Sequence, residues 1–223
     1  MDLCKSDIII SGWDGKMGRV LRELAPMYFS GQIYNGLHLE TKPLTSVIWI
    51  DFSHADCFDY VLGKVRYVHC PLVMGTTGLT EKNQHALKDL SQQLPVFYDT
   101  NFSLGIHIIK HLIQHLPQIC SQFDISIFES HHASKKDAPS GTANTLAHIL
   151  NEYFKNCKNI PILSHRGGGI RGKHSIILAA QNEVITLQHE ALDRSIFAEG
   201  ALKAAQWCLQ QTKGFFCMKD LLL

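Results

Sequence analysis

The N-terminal stretch constrains the fold most. Residues 7–11, DIIIS, form a short apolar run that stops at GWDGKMG, after which Met17, Val20, Leu21 and Leu24 recur at helical spacing. A strand, a glycine turn and a helix in that order open a nucleotide-binding α/β unit. Gly12, Gly15 and Gly18 bracket the junction. Glycines there let backbone N–H groups approach a pyrophosphate at a helix N-terminus, where the dipole favours negative charge. The spacing is G-x-x-G-x-x-G rather than G-x-G-x-x-G, and Asp14 adds a carboxylate to the turn. The same residues therefore also suit a plain tight turn.

Further apolar runs at 46–50, 71–74 and 94–98 each stop at a polar or glycine-bearing loop: Asp51-Phe52-Ser53, Gly75-Thr76-Thr77-Gly78 and Asp99-Thr100-Asn101. Residues 80–93 are polar and helix-prone. Continuous apolar strands alternating with helices predict a parallel sheet covered on both faces. Ligands of such sheets sit at the carboxyl ends of the strands, where these loops fall. An acidic residue ~20 positions beyond the glycine turn usually holds the adenosine ribose. Glu40 is near that distance, with Lys42 close by, a pairing compatible with NADH or NADPH; an exposed surface glutamate fits equally well.

From residue 104 the pattern changes. An amphipathic helix is expected over 104–117, a strand over 123–128 and a second helix over 140–155. After a glycine cluster at 166–172, the runs 174–180 and 183–189 read as an antiparallel hairpin, and 195–210 as a helix. The expected architecture is α/β with two domains. Residues 1–102 make a Rossmann-like dinucleotide-binding domain to which 195–223 returns; 103–194 make a smaller α+β domain with a mixed open sheet.

The formal net charge of +1 leaves no global field for nucleic acid or an anionic membrane, so anion recognition has to be local. Seven scattered cysteines without a Cys-x-x-Cys pair indicate free thiols rather than a disulfide framework or a zinc site. No apolar run approaches the ~18 residues that span a bilayer, and no signal-peptide h-region opens the chain, so a cytoplasmic protein is expected.

Local anion handling is concentrated in ESHHASKKDAPSGTA, residues 129–143. Ser140, Gly141 and Thr142 open the second amphipathic helix, whose first-turn N–H groups lack internal partners; the Ser140 or Thr142 hydroxyl adds to them. Lys135 brings a positive charge, and His131 or His132 a group that delivers a proton near neutral pH. The bland counterpart is a capped helix after a polar loop. His107, His111 and His115 fall at i, i+4 and i+8, but Ile106, Ile108, Ile109, Leu112, Ile113 and Leu116 occupy the other side and no carboxylate or thiol joins them in sequence. A solvated histidine face is expected, and no metal.

These residues carry a resemblance. His131-His132-x-x-Lys135-x-Asp137-Ala138-Pro139-Ser140-Gly141-Thr142 resembles the signature of the 4-hydroxy-tetrahydrodipicolinate reductase family of lysine and diaminopimelate biosynthesis. GWDGKMGR (12–19), IDFS (50–53), GTTG (75–78), NFS (101–103), the Arg166-x-Gly168-x-x-x-Gly172-x-His174 run, the Arg194 segment and the 214–220 segment are similar to family blocks in the same order. The resemblance implies hydride transfer from NADH or NADPH to a cyclic imine dicarboxylate. It implies His131 as catalytic acid/base and Lys135 as second proton donor or ring-polarising charge. His132, Ser140, Gly141 and Thr142 would bind substrate. The cofactor would lie on Gly12, Trp13, Asp14, Gly15, Lys16, Met17, Glu40, Gly75, Thr76, Thr77, Asp99, Thr100, Asn101 and Phe102. It also implies a homotetramer built through the second domain's sheet. The chain is shorter than most members by some tens of residues, mainly between Glu40 and Ser46, beside the expected ribose site, and before Arg166. Taken alone, Lys135 also suits a Schiff-base nucleophile, but that role leaves the glycine turn and GTTG loop unexplained. A non-catalytic nucleotide sensor is the other alternative.

Overall fold

The structure is a computed structural model that describes residues 3–39, 46–154 and 159–222. Among these, the strands are β1 (Asp7–Ser11), β2 (Ile33–Asn35), β3 (Val47–Asp51), β4 (Leu72–Met74), β5 (Pro95–Tyr98), β6 (Asp124–His131), β7 (Ile162–Arg166), β8 (Lys173–Ala179), β9 (Val184–Glu190) and β10 (Gly214–Phe216). The α-helices are α1 (Lys16–Leu24), α2 (Phe58–Val68), α3 (Glu81–Ser91), α4 (Leu104–Gln114), α5 (Gly141–Tyr153) and α6 (Ser195–Cys208). The chain forms two compact units, Met1–Leu104 with Arg194–Leu223, and Gly105–Asp193. No helix among the described residues is long and apolar enough to cross a membrane.

The first unit is built on a six-stranded sheet in the order β10-β5-β4-β3-β1-β2, every neighbouring pair parallel. Its strands are apolar at consecutive positions because both faces are covered. Ile8 and Ile10 of β1 pack with Leu21 of α1 and Ala201, Leu202 and Ala205 of α6. Ile9, between them, packs on the other side with Trp49 of β3, Val61 and Val65 of α2 and Leu87 of α3. The small side chains of α6 let that helix lie close to the sheet. The strand order reverses at β1, with β2 on one side and β3 on the other. In open α/β sheets such a reversal marks the ligand crevice at the carboxyl ends of the strands. Here it lies between Ser11 and Asp51, which end β1 and β3 in register.

The second unit is a mixed sheet in the order β7-β6-β8-β9, with β7 parallel and β8 antiparallel to β6. Ile125 and Ile127 of β6 and Ile176 and Leu178 of β8 face Ile113 of α4 and Leu146, Leu150 and Phe154 of α5. Side chains alternate along a strand, so Glu129 and His131 continue this helix-covered row toward the start of α5. The apolar stripe thus runs into two polar groups at one end of its own core.

Helix α4 departs from expectation. His107 is buried, at 6% exposure, whereas Ile108 and Leu112 are about half exposed, at 49% and 45%. Only His111 and His115 lie on the wet side, their rings 4.2 Å apart. The buried arc is therefore rotated from the one that the isoleucine spacing implies. The helix also ends at Gln114, short of residue 117.

Candidate active site

The cofactor residues gather at the switch crevice of the first unit. Gly12 has φ +80, and a Cβ there would run into the Phe52 backbone carbonyl, so the turn requires glycine. Gly15 is the N-cap of α1 and has no side chain with which to cap it. The first-turn amides of α1 are thus available to an anion. Two depressions share Phe52 and Ser53. One, about 330 Å³, is lined by Gly12, Trp13, Asp14, Gly15, Leu37 and His54 among others. The second, about 380 Å³, is lined by Met17, Gly75, Thr76, Thr77, Thr100, Asn101, Phe102 and Phe197. A glycine turn, an uncapped helix end and paired depressions at a switch point fit a dinucleotide.

Not every expected cofactor residue reaches these depressions. Lys16 opens α1 outside both linings. Asp99 is a brace: its carboxylate accepts from the amides of Asn101 (3.1 Å) and Met218 (3.2 Å), tying the β5 loop to the C-terminal segment. Glu40 lies outside the described residues. Trp13 holds the Arg22 guanidinium over its ring at 4.4 Å. Phe102 is almost fully buried, its ring 5.3 Å from that of Phe52.

Asp51 stands in a loop that the sequence places at a strand end, but the sequence assigns its side chain no role. It is 1% exposed, and its carboxylate accepts from the Thr76 hydroxyl at 2.5 Å, while its carbonyl accepts from the Gly75 amide at 2.8 Å. Burial raises its pKa, against the hydrogen bonds from Thr76 and Ser53. Asp51 thereby fastens the GTTG loop to the end of β3. The signals in the sequence were its place as the first polar residue after VIWI and its membership of the IDFS block.

In the second unit the 131–142 segment runs from the end of β6 to the start of α5. His131 is 8% exposed, and its Nδ1 lies 2.5 Å from Glu129 Oε2. Arg166, at the end of β7, grips both Glu129 oxygens, at 2.9 and 2.8 Å, and also donates to the Asp137 carbonyl. Burial would raise the Glu129 pKa, but bonds from Arg166, Ser164 and His131 bring it down to about 2. It is a carboxylate at neutral pH, able only to accept, so Nδ1 of His131 carries the proton of that bond. The His131 pKa is lowered: burial outweighs the pull of Glu129, and Lys135 and Arg166 add to the lowering.

Lys135 is partly buried, with its ammonium 2.7 Å from Asp137 Oδ1. His132 is half-buried and bonds the Ser134 hydroxyl through Nδ1 at 2.8 Å. Ser140 caps α5: its hydroxyl accepts from the Ala143 amide at 3.2 Å and pairs with His174 Nε2 at 3.0 Å. Its amide donates to Glu129 Oε1 at 3.3 Å. The Ser140 hydroxyl is thus committed to framing the helix end, at 2% exposure. At Gly141 a side chain would meet nothing within 4 Å, so the approach to the first-turn amides is open there. His174 is held neutral by burial and by His131, its pKa lowered to about 4.

One unit carries a glycine turn, a bare helix end and two depressions that fit a dinucleotide, and the other a buried imidazole, an ammonium and an open helix end, parts that suit a nicotinamide-dependent reductase. The family models "Dihydrodipicolinate reductase, N-terminus" and "Dihydrodipicolinate reductase, C-terminus" match residues 37–102 and 105–222. The chain is 39% identical over 220 residues to 4-hydroxy-tetrahydrodipicolinate reductase of Bdellovibrio bacteriovorus, covering 95% of each protein. It is 35% identical over 243 residues to the enzyme of that name from Caldanaerobacter subterraneus subsp. tengcongensis, covering 96% of this chain and 97% of the relative. Among solved structures, dipicolinate-bound dihydrodipicolinate reductase from Paenisporosarcina sp. TG-14 shares the fold, with TM-score 0.76 at 19% identity over 97% of this chain and 99% of that one. The chain belongs to the 4-hydroxy-tetrahydrodipicolinate (dihydrodipicolinate) reductase family, and is an NAD(P)H-dependent oxidoreductase.

Proposed function

We propose that this chain takes 4-hydroxy-tetrahydrodipicolinate, which loses water to give dihydrodipicolinate, and reduces that ring to tetrahydrodipicolinate, with His131 delivering the proton. The buried Glu129–His131 pair beside an open helix end carries this reading, because ring reduction adds a proton as well as a hydride. When bound, NADH or NADPH supplies the hydride. Gly12, Trp13, Gly15 and Met17 and the 75–77 and 100–102 loops would hold it. The Glu40 acid and the Lys42 base beside it in sequence would accommodate either dinucleotide.

The substrate carboxylates are met by several groups. The Gly141 and Thr142 amides receive one at the positive end of α5, with the Thr142 hydroxyl beside them. His132 and the Lys135 ammonium serve the other carboxylate and the ring nitrogen. Lys135 is pre-placed by Asp137 and exchanges that partner for substrate. His131 rests neutral because burial disfavours its charge. A docked dianion reverses that balance and favours the imidazolium, so the acid is loaded when there is something to protonate.

The sheet face of the second unit that α4 and α5 leave uncovered carries Leu163, Phe128, Ser175 and Gln188 in one cross-strand row, with Ile177 and Thr186 in the next. This face is the one through which a homotetramer would assemble. The test of the function is a coupled assay in which a second enzyme generates the cyclic substrate in place. Oxidation of NADH or NADPH in proportion to that supply is expected; dinucleotide binding without oxidation would instead mark a sensor.

A further inference from the structure

Two chemically different nitrogens of His131 compete for the role of proton donor, and the protein treats them differently. Nδ1 points at Glu129, which is 0% exposed. Nε2 lies beside Gly172, where even a Cβ would come within 3.2 Å of it. Glu129 itself has no freedom: Arg166 takes both oxygens in a fork and the Ser140 amide takes one of them. A carboxylate so gripped can accept from Nδ1–H in one direction only.

We infer that Glu129, held by Arg166, is a positioning residue for the reduction: it fixes the His131 ring as the Nδ1–H tautomer and leaves Nε2 to exchange the proton with the substrate. This rests on the reading of His131 as the acid/base. Arg166 has a second part. A lone buried carboxylate beside an imidazole stabilises the imidazolium and makes it a reluctant acid. With its charge matched by a bidentate guanidinium, Glu129 orients the ring without locking the proton onto it. The groups that face His131 are Glu129 on its own strand, Lys135 in the following loop, Arg166 on β7 and His174 on β8, whose ring centroid is 5.1 Å away. Lys135 and Arg166 oppose the imidazolium, Glu129 favours it, and His174 stays neutral.

The two partners of the pair therefore predict shifts of opposite sign. Histidine-labelled protein, with the His131 signals assigned by their loss in His131→Gln, reports the titration and tautomer of that ring by ¹⁵N NMR without any turnover. In Glu129→Gln the His131 titration moves to lower pH, by about one unit or more, and the Nδ1–H tautomer loses its dominance. In Arg166→Met it moves to higher pH. In the coupled assay both changes appear in the pH profile of kcat, with kcat down roughly 10²-fold in Glu129→Gln and KM for the ring substrate little altered. An unchanged His131 titration and tautomer in Glu129→Gln overturns the inference. Should that variant fail to fold, Arg166→Met decides alone: an upward shift supports the inference, and no shift or a downward one overturns it. NMR shifts of the expected signs with an unmoved kcat profile also overturn a role in the reaction, and place the failure in the assignment of His131 as the acid.

Discussion

At the scale of single residues, the second unit keeps ionisable groups in its interior, and this makes stability depend on pH. His174 has its pKa lowered from 6.5 to about 4 by burial first and by His131 next. A group whose folded pKa lies below its unfolded one contributes fully above the unfolded value and loses that contribution as pH falls toward the folded one. His174 thus favours folding above pH 6.5 and ceases to do so by about pH 4, a loss of roughly 3 kcal/mol. Glu129, lowered from 4.5 to about 2, extends the decline from pH 4.5 toward pH 2. Urea midpoints measured from pH 6.5 downward should fall steadily in the wild type and fall less steeply between pH 6.5 and 4 in His174→Gln. Parallel curves would show that His174 is not buried as a neutral ring. His131, His132, Lys135 and Thr142 were readable as a cluster because they share one short segment. Glu129's partnership with Arg166 was not, since 37 positions separate the two and only the parallel pairing of β6 and β7 joins them. Asp51 escaped for the same reason: its partner, Thr76, is 25 positions away.

At the scale of elements, the glycine turn makes a demand that no other residue meets. In Gly12→Ala the backbone at φ +80 is strained and the added methyl collides with the Phe52 carbonyl. The turn must shift, and the α1 amides with it. Fluorescence titration should show dinucleotide binding weakened at least tenfold, with the second unit's His131 signals undisturbed; wild-type affinity would move the pyrophosphate site elsewhere. The strand–turn–helix opening, β3, β4 and β5, α3 and the β8–β9 hairpin were legible because each carries a full hydrophobic period or a clear breaker. Strands β2 and β10 are three residues each, too short to show alternation. β7 is half exposed along its length and lacks an apolar face of its own. α2 is a different case: Phe58, Val61, Leu62, Val65 and Val68 form a complete helical stripe, readable in the sequence yet absent from the strand–helix alternation traced there. In α4, side-chain identity misled, because the helix buries His107 and leaves Ile108 and Leu112 half exposed.

At the scale of the whole molecule, the sheet of the second unit has one face covered by helices and one not. If copies assemble through that face, replacing Phe128 or Ile177 by Glu puts charges into the contact. Light scattering should then report a tetramer for the wild type and a smaller species for Phe128→Glu and Ile177→Glu; an unchanged mass would assign the assembly to another surface. The parallel doubly wound sheet was foreseeable from apolar runs alone, but its strand order was not, because order depends on which edges pair. In the proposed function the work divides between the units as the structure does, with a backbone cradle for the dinucleotide in one and proton chemistry in the other. The most direct measurement of the central claim is single-turnover oxidation, by His131→Gln mixed with freshly generated cyclic substrate, of whichever of NADH and NADPH the wild type oxidises faster. The account predicts a rate ~10²–10⁴-fold below wild type at nearly wild-type substrate affinity. A rate equal to that of the wild type would contradict it.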